Sequence, residues 1–292
     1  MSRTPTLATA SVALPPEGAQ SALGRPGGGF TAPTLATASA ALPPEGAQSA
    51  LGRPGGGFKL QPRTRIKVCG LTREEDVDIC IEAGVDALGF NLYPKSPRYI
   101  TPRRASELAR RMPAFMTPVL LFVNELPATI AAARALVGGA MLQFHGDESP
   151  EFCGYVTDSG LHTYIKAARI PLDADAPRFD LVQFAQNFSS AQAILLDAHV
   201  DGFGGSGKVF NWSLLPPNVD AHLVLSGGLT PANVGEGIAC VRPRARTLAV
   251  DVSSGVEAQD ADGKPIKGIK DPAKIFQFVA AVRAADAQAP RV

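Results

Sequence analysis

A cysteine closes the short apolar run "RIKVC" (65–69) just before Gly70, and Lys67 stands two residues earlier. Most cysteines are small buried hydrophobes, but a thiolate is also a base and nucleophile. Three more runs are interrupted by polar groups near their ends. "MLQFH" (141–145) carries Gln143 and His145, "AILLD" (193–197) ends in Asp197, and "LAVDVS" (248–253) contains Asp251. A thiol, an imidazole and two carboxylates can each carry chemistry, and each departs from the apolar pattern near the end of its run. Taken singly, each has a plainer account. Cys69 would fill core, His145 would be a hydrogen-bonded rim residue, and Asp197 or Asp251 would cap a helix. Cys80, Cys153 and Cys240 lie within helical patterns and read as core.

The elements that must position these groups alternate in type. Strand patterns cover 65–69, 87–92, 119–124, 141–145, 163–168, 193–197, 222–227 and 248–253. Helical patterns such as 72–84, 101–112 and 271–285 lie between them. Thr72 with Glu75 reads as a capping box, Thr101-Pro102 as a helix start, and Gly84 as a helix stop. Eight β–α units from residue 63 onward predict a single-domain (β/α)8 TIM barrel of the α/β class over 63–292. An open doubly wound sheet is the rival, but no GxGxxG turn follows the first strand. In a barrel alternate strand residues point inward, and functional groups gather at the C-terminal strand ends. Lys67 and Cys69 then share an inward face while Ile66 and Val68 face the helices. Gln143, His145, Asp197 and Asp251 converge on the same rim.

Three glycine-rich loops follow the last strands: "DGFGGSGKVFNW" (201–212), "SGGLTPANV" (226–234) and "SSGVE" (253–257). Glycine lets backbone N–H groups approach an anion, and a helix N-terminus beyond adds a favourable dipole. Barrel phosphate sites often use the loops after strands seven and eight. Gly204, Gly205, Gly227, Gly228, Ser253 and Ser254 are therefore candidate phosphate-binding positions, with a helix expected to start at Thr230-Pro231. "GGSGK" alone is weak, because it lacks the P-loop spacing.

The whole chain bounds the reading. Of its 292 residues 45% are hydrophobic, and the formal net charge is +1. Near-neutral charge argues against nucleic acid or an acidic membrane as the main partner. No apolar run is long enough to span a bilayer. The four scattered cysteines contain no CxxC pair, which leaves neither a zinc site nor a disulfide framework and makes a cytoplasmic location the default. Residues 6–30 recur at 34–58 with Val12 replaced by Ala40, and glycine plus proline make up 18 of the first 58 residues. Such a segment buries too little surface to offset its ordering entropy, so residues 1–62 read as a disordered low-complexity tail.

The motifs "KVCGLT", "ALGFNLYPKSPRYIT", "LFVN", "LQFHGDE", "LLDAHVDGFGGSGKVFNW", "LVLSGGLTPANV" and "AVDVSSGVE" occur in that order. Together they resemble the phosphoribosylanthranilate isomerase family of tryptophan biosynthesis over residues 63–285. Phe144, where the family often has leucine, and Pro97 are small differences that remove no functional group. The resemblance implies an Amadori rearrangement of N-(5-phosphoribosyl)anthranilate in a (β/α)8 barrel with no metal and no cofactor. It makes Cys69 the general base and Asp197 the general acid. It makes Arg98 the contact to the anthranilate carboxylate and the loops after strands seven and eight the phosphate site, while Gln143, His145 and Asp251 are candidate substrate-binding positions from their place on the same rim. The partner is then a small phosphorylated substrate, and the protein a monomer or homodimer. The chemistry fits: opening the ribose needs a proton on the ring oxygen, which a carboxylic acid can donate when burial favours its neutral form. Removing the C2′ hydrogen needs a base, and a thiol that titrates near pH 8.5 needs a cation beside it to ionise. Lys67 on the same face and the substrate's own iminium are the candidate cations, Lys67 the first of them. Another phosphosugar-converting barrel and a non-catalytic phosphosugar-binding barrel are the alternatives. A metal-dependent epimerase is disfavoured, since His145, His162, His199 and His222 are not arranged as ligands.

Overall fold

A computed structural model describes residues 63–171, 179–199 and 211–289. The repeated segment within 1–62 and the candidate phosphate residues Gly204 and Gly205 lie outside the described residues. Eight strands form a closed parallel barrel in sequential order. They are β1 (Arg65–Cys69), β2 (Ala87–Asn91), β3 (Thr117–Phe122), β4 (Met141–Phe144), β5 (Tyr164–Pro171), β6 (Ala193–His199), β7 (His222–Leu225) and β8 (Thr247–Val252). The helices are α1 (Glu74–Glu82), α2 (Pro102–Ala109), α3 (Pro127–Leu136), α4 (Pro150–Val156), α5 (Leu181–Asn187), α6 (Val234–Val241) and α7 (Pro272–Gln288). Between β8 and α7 the chain adds an antiparallel hairpin, β9 (Glu257–Gln259) and β10 (Pro265–Lys270), which the periodicity did not predict.

Two faces of each strand explain the packing. Ile66 and Val68 of β1, Leu88 and Phe90 of β2, and Leu142 and Phe144 of β4 join one cluster with Val77, Leu108, Ile130 and Phe278 of the helices. Each such side chain contributes roughly 1.5–3 kcal/mol when fully buried. The alternate residues point into the barrel, where Ile165, Ala167, Leu195 and Val224 pack together. Nearer the rim, Cys69 packs with Leu121 and Val123. Small inward residues (Ala87, Gly89, Ala249) leave room for long polar side chains between them.

Helix starts are fixed by local chemistry. Thr101 accepts a hydrogen bond from the Arg104 N–H ahead of Pro102, as expected from sequence. Ser149 and Asp271 cap α4 and α7 in the same way. Gly84 follows α1 with φ +73°, a conformation that suits glycine. The expected Thr72–Glu75 capping box does not form. The α1 cap position is Arg73 with no side-chain cap, because the Thr72 hydroxyl donates instead to the Gly268 carbonyl of the hairpin, 2.7 Å away. Tertiary pairing outcompetes the local motif there.

Candidate active site

Cys69 ends β1 with 6% of its surface exposed and faces inward beside Lys67. The register pairs Lys67 with Asp251 of β8, and Lys67 Nζ lies 2.8 Å from Asp251 Oδ1. Lys67 also lies beside the Cys69 thiol, since one Cβ built at Gly89 would fall within 3.0 Å of both the Lys67 Nζ and the Cys69 Sγ. Burial works against the Lys67 ammonium, but Asp251 and Cys69 outweigh it and hold its pKa above the ordinary lysine value. Burial also dominates at Cys69, where it pushes the thiol up. Lys67 pulls the thiol back down, while Asp251 adds to the rise. The expectation that Lys67 ionises Cys69 is therefore corrected in part. Lys67 is the right neighbour, but Asp251 neutralises its field, and the resting thiol is protonated near neutral pH.

The backbone around the thiol is glycine for a reason of space. Gly70 has φ +76°, and a Cβ there would sit 2.5 Å from the Arg98 Cδ. Across the sheet at Gly89, which pairs with Cys69, a Cβ would lie 2.6 Å from the Cys69 Sγ and 3.0 Å from the Lys67 Nζ. Sequence reasoning placed Gly89 in a strand but gave it no task.

A second polar chain crosses from β4 to β6. Gln143 Nε2 is 2.9 Å from His145 Nδ1, and His145 Nε2 is 2.9 Å from Asp197 Oδ2. An amide nitrogen can only donate, so Nδ1 accepts and the Nε2 of the neutral ring carries the proton. Asp197 then receives that N–H on Oδ2 and the Ala198 N–H on Oδ1 at 3.0 Å. Gln143 Oε1 is buried with no partner. Below this chain Lys166 pairs with Glu148 at 3.1 Å and donates to the Gly146 carbonyl at 2.7 Å, bracing the loop that follows His145.

The loops after β7 and β8 meet at the same rim. Gly227 and Gly228 have φ +77° and +66°. A Cβ at Gly227 would lie 2.8 Å from Asp197 Oδ1, so the β7 loop passes directly over that carboxylate. A Cβ at Gly255 would lie 1.9 Å from the Leu229 carbonyl oxygen, which shows how closely the two loops approach. Gly228, Thr230, Ser254, Gly255 and Lys267 line a cavity of about 500 Å³ between them. Ser253 donates its hydroxyl to the Cys69 carbonyl at 3.1 Å, so it braces the end of β1. The helix expected at Thr230-Pro231 begins only at Val234. The Asn233 side chain explains the delay: it accepts from the Thr230 N–H and donates to the Gly228 carbonyl, holding a separate turn.

Arg98, in the loop after β2, is buried at 5% exposure and forms a two-pronged ion pair with Glu257. Glu257 also accepts the Gly268 N–H at 2.9 Å and lies 3.6 Å from Lys270 Nζ. Burial alone would raise the Glu257 carboxyl, but Arg98 and Lys270 bring it below its ordinary value. Burial lowers Lys270 to about 8. Sequence reasoning missed Glu257 and Lys270, whose partners are set by the hairpin. Of the other cysteines, Cys80 and Cys153 are fully buried, with burial pushing both thiols up to about 12. Cys240 packs half-buried against the same core. Among the described residues no group of three or more His, Cys, Asp or Glu could hold a metal ion. Among them, too, no helix is long and apolar enough to cross a membrane.

A parallel eight-stranded barrel with a buried thiol, an imidazole–carboxylate pair and glycine loops on one rim defines a barrel enzyme of the acid–base kind. The family model for N-(5'-phosphoribosyl)anthranilate (PRA) isomerase matches residues 66–281, and the chain belongs to that family. The isomerase of Methylibium petroleiphilum is 56% identical over 226 residues, covering 77% of this chain and 97% of the relative. That of Dechloromonas aromatica is 52% identical over 224 residues, covering 77% and 98%. Among solved structures, the isomerase from Thermotoga maritima superposes with a TM-score of 0.63 at 39% identity, covering 76% and 99%. Another phosphoribosylanthranilate isomerase, solved with reduced 1-(o-carboxyphenylamino)-1-deoxyribulose 5-phosphate, gives 0.61 at 37% identity, covering 76% and 99%. A third structure contains monomers of the dimeric Thermotoga enzyme, with a TM-score of 0.61 at 35% identity over 76% of this chain and 99% of that one.

Proposed function

We propose that residues 63–292 carry out the family's Amadori rearrangement with Cys69 as base and Asp197 as acid. The observation that supports this most is their placement: Cys69 ends β1 and Asp197 lies near the end of β6, both inward and both on the rim that carries the glycine loops. Asp197, in its protonated form, gives a proton to the ribose ring oxygen as the C1′–O bond opens to a Schiff base. The iminium acidifies the C2′ hydrogen, which Cys69 removes as thiolate. The developing iminium adds positive charge beside a thiol already within reach of Lys67, so ionisation is favoured when substrate is bound. The enolamine then takes the proton from the Cys69 thiol at C1′ while its C2′ hydroxyl loses one, giving the ketone and restoring the thiolate, and the substrate serves as its own electron sink.

His145 holds the Asp197 carboxyl in place through its Nε2–H, and Asp197 regains its proton from the C2′ hydroxyl as the ketone forms. Arg98 holds the anthranilate carboxylate, and Gly227, Gly228 and Ser254 present the backbone that holds the phosphate. All of these groups lie within one barrel, an arrangement that suits either a monomer or a homodimer. A reducing cytoplasm suits a site that depends on a free thiol. The test is complementation of a tryptophan auxotroph lacking this isomerase. Growth without tryptophan is expected, and failure by a well-expressed chain would refute the assignment.

A further inference from the structure

A guanidinium is a planar fork with two edges that can each bind a carboxylate. In Arg98 the Nε–Nη2 edge is occupied: Nε donates to Glu257 Oε1 at 2.6 Å and Nη2 to Oε2 at 2.9 Å. Among the described residues no hydrogen-bond partner engages Nη1, so the Nη1–Nη2 edge stays open to a ligand. Glu257 is itself immobilised, being 1% exposed and tied to the Gly268 N–H of the hairpin. The stem of Arg98 runs over Gly70, the residue after Cys69, so the open edge is fixed relative to the thiol. Lys270, 3.6 Å from Glu257, leaves the trio of Arg98, Glu257 and Lys270 with one positive charge in excess. A buried ion pair is weak evidence for stability, because desolvation offsets its attraction. Geometry is the better account of this one.

We infer that Glu257 is a positioning residue that aims the open edge of Arg98 at the substrate's aromatic carboxylate, while Lys270 keeps the pocket net positive. This rests on the reading of Arg98 as the carboxylate contact. The test compares two substrates on the full chain: N-(5-phosphoribosyl)anthranilate, and the analogue made from aniline, which lacks the carboxylate. Glu257→Gln should raise KM for the first by about tenfold, leave kcat within about threefold, and leave kcat/KM for the second unchanged. An equal loss on both substrates, or none on either, would overturn the inference. Arg98→Ala is measured in parallel. Equal loss on both substrates there would remove the Arg98 reading itself, whereas discrimination by Arg98→Ala without discrimination by Glu257→Gln would remove only the role of Glu257. If Glu257→Gln does not fold, Glu257→Asp keeps the charge, shortens the reach and should show the same split.

Discussion

Lys67 Nζ lies 2.8 Å from Asp251 Oδ1 inside the barrel, and the Cys69 thiol completes the cluster. The ammonium lowers the thiol pKa while its carboxylate partner raises it, and burial leaves the balance upward. The acid limb of kcat/KM should therefore lie alkaline of the ordinary thiol range, with activity rising as Cys69 ionises. Lys67→Met removes the lowering influence and keeps Asp251, so the limb should move further up and activity at pH 7 should fall by about tenfold or more. A pH–rate profile that does not move would show that Lys67 leaves the thiol unaffected.

Gly89 tests the same cluster through space instead of charge. A methyl group there would lie 2.6 Å from the Cys69 Sγ, so Gly89→Ala must displace the thiol. We expect a loss of about 10²-fold in kcat, the scale set by small misplacements of a reacting group. Overpacking should cost about 1–3 kcal/mol, read by thermal or denaturant unfolding.

His145 connects Gln143 to Asp197, and its Nε2–H is the donor that meets Oδ2. His145→Ala should lower kcat by about 10²-fold with little change in KM, because the lost contact orients the acid Asp197 more than it binds substrate. Gln143→Leu removes the donor that fixes the ring tautomer and should give a smaller loss of the same kind. Steady-state kinetics on the two variants separates the proton path from a packing role, which would raise KM as well.

Lys270 gives a stability signature. Burial lowers its folded pKa to about 8, below the ordinary lysine value of about 10.4. Between those values the unfolded chain binds the additional proton, so this residue makes stability rise with pH across that window. Buried thiols with raised pKa act in the opposite sense over part of the range, so the comparison is with Lys270→Met. The stability of the wild type minus that of the variant should increase from about pH 8 to pH 10 in denaturant titrations. A flat difference would contradict the low pKa.

Much of this was legible in the chain. Period-two alternation and glycine punctuation located eight strands, and polar breaks at their ends picked out Cys69, His145, Asp197 and Asp251. Those signals are local, because parity and strand ends depend on a few consecutive residues. Glu257 was not legible. It follows a glycine loop and looks like any surface carboxylate, and its partner Arg98 stands 159 residues earlier. Thr72 failed for the related reason that the Gly268 carbonyl, 196 residues away, competes for its hydroxyl. Lys67 was placed correctly, but its effect on the thiol was read without Asp251, which only the register between β1 and β8 brings alongside.

The assignment of roles at the rim is tested most directly by single-turnover conversion of N-(5-phosphoribosyl)anthranilate by Cys69→Ala and Asp197→Asn, with unfolding measured on the same samples. Both variants should remain folded and lose about 10³-fold or more of the wild-type rate. A folded Cys69→Ala that converts the substrate at close to the wild-type rate would contradict the account.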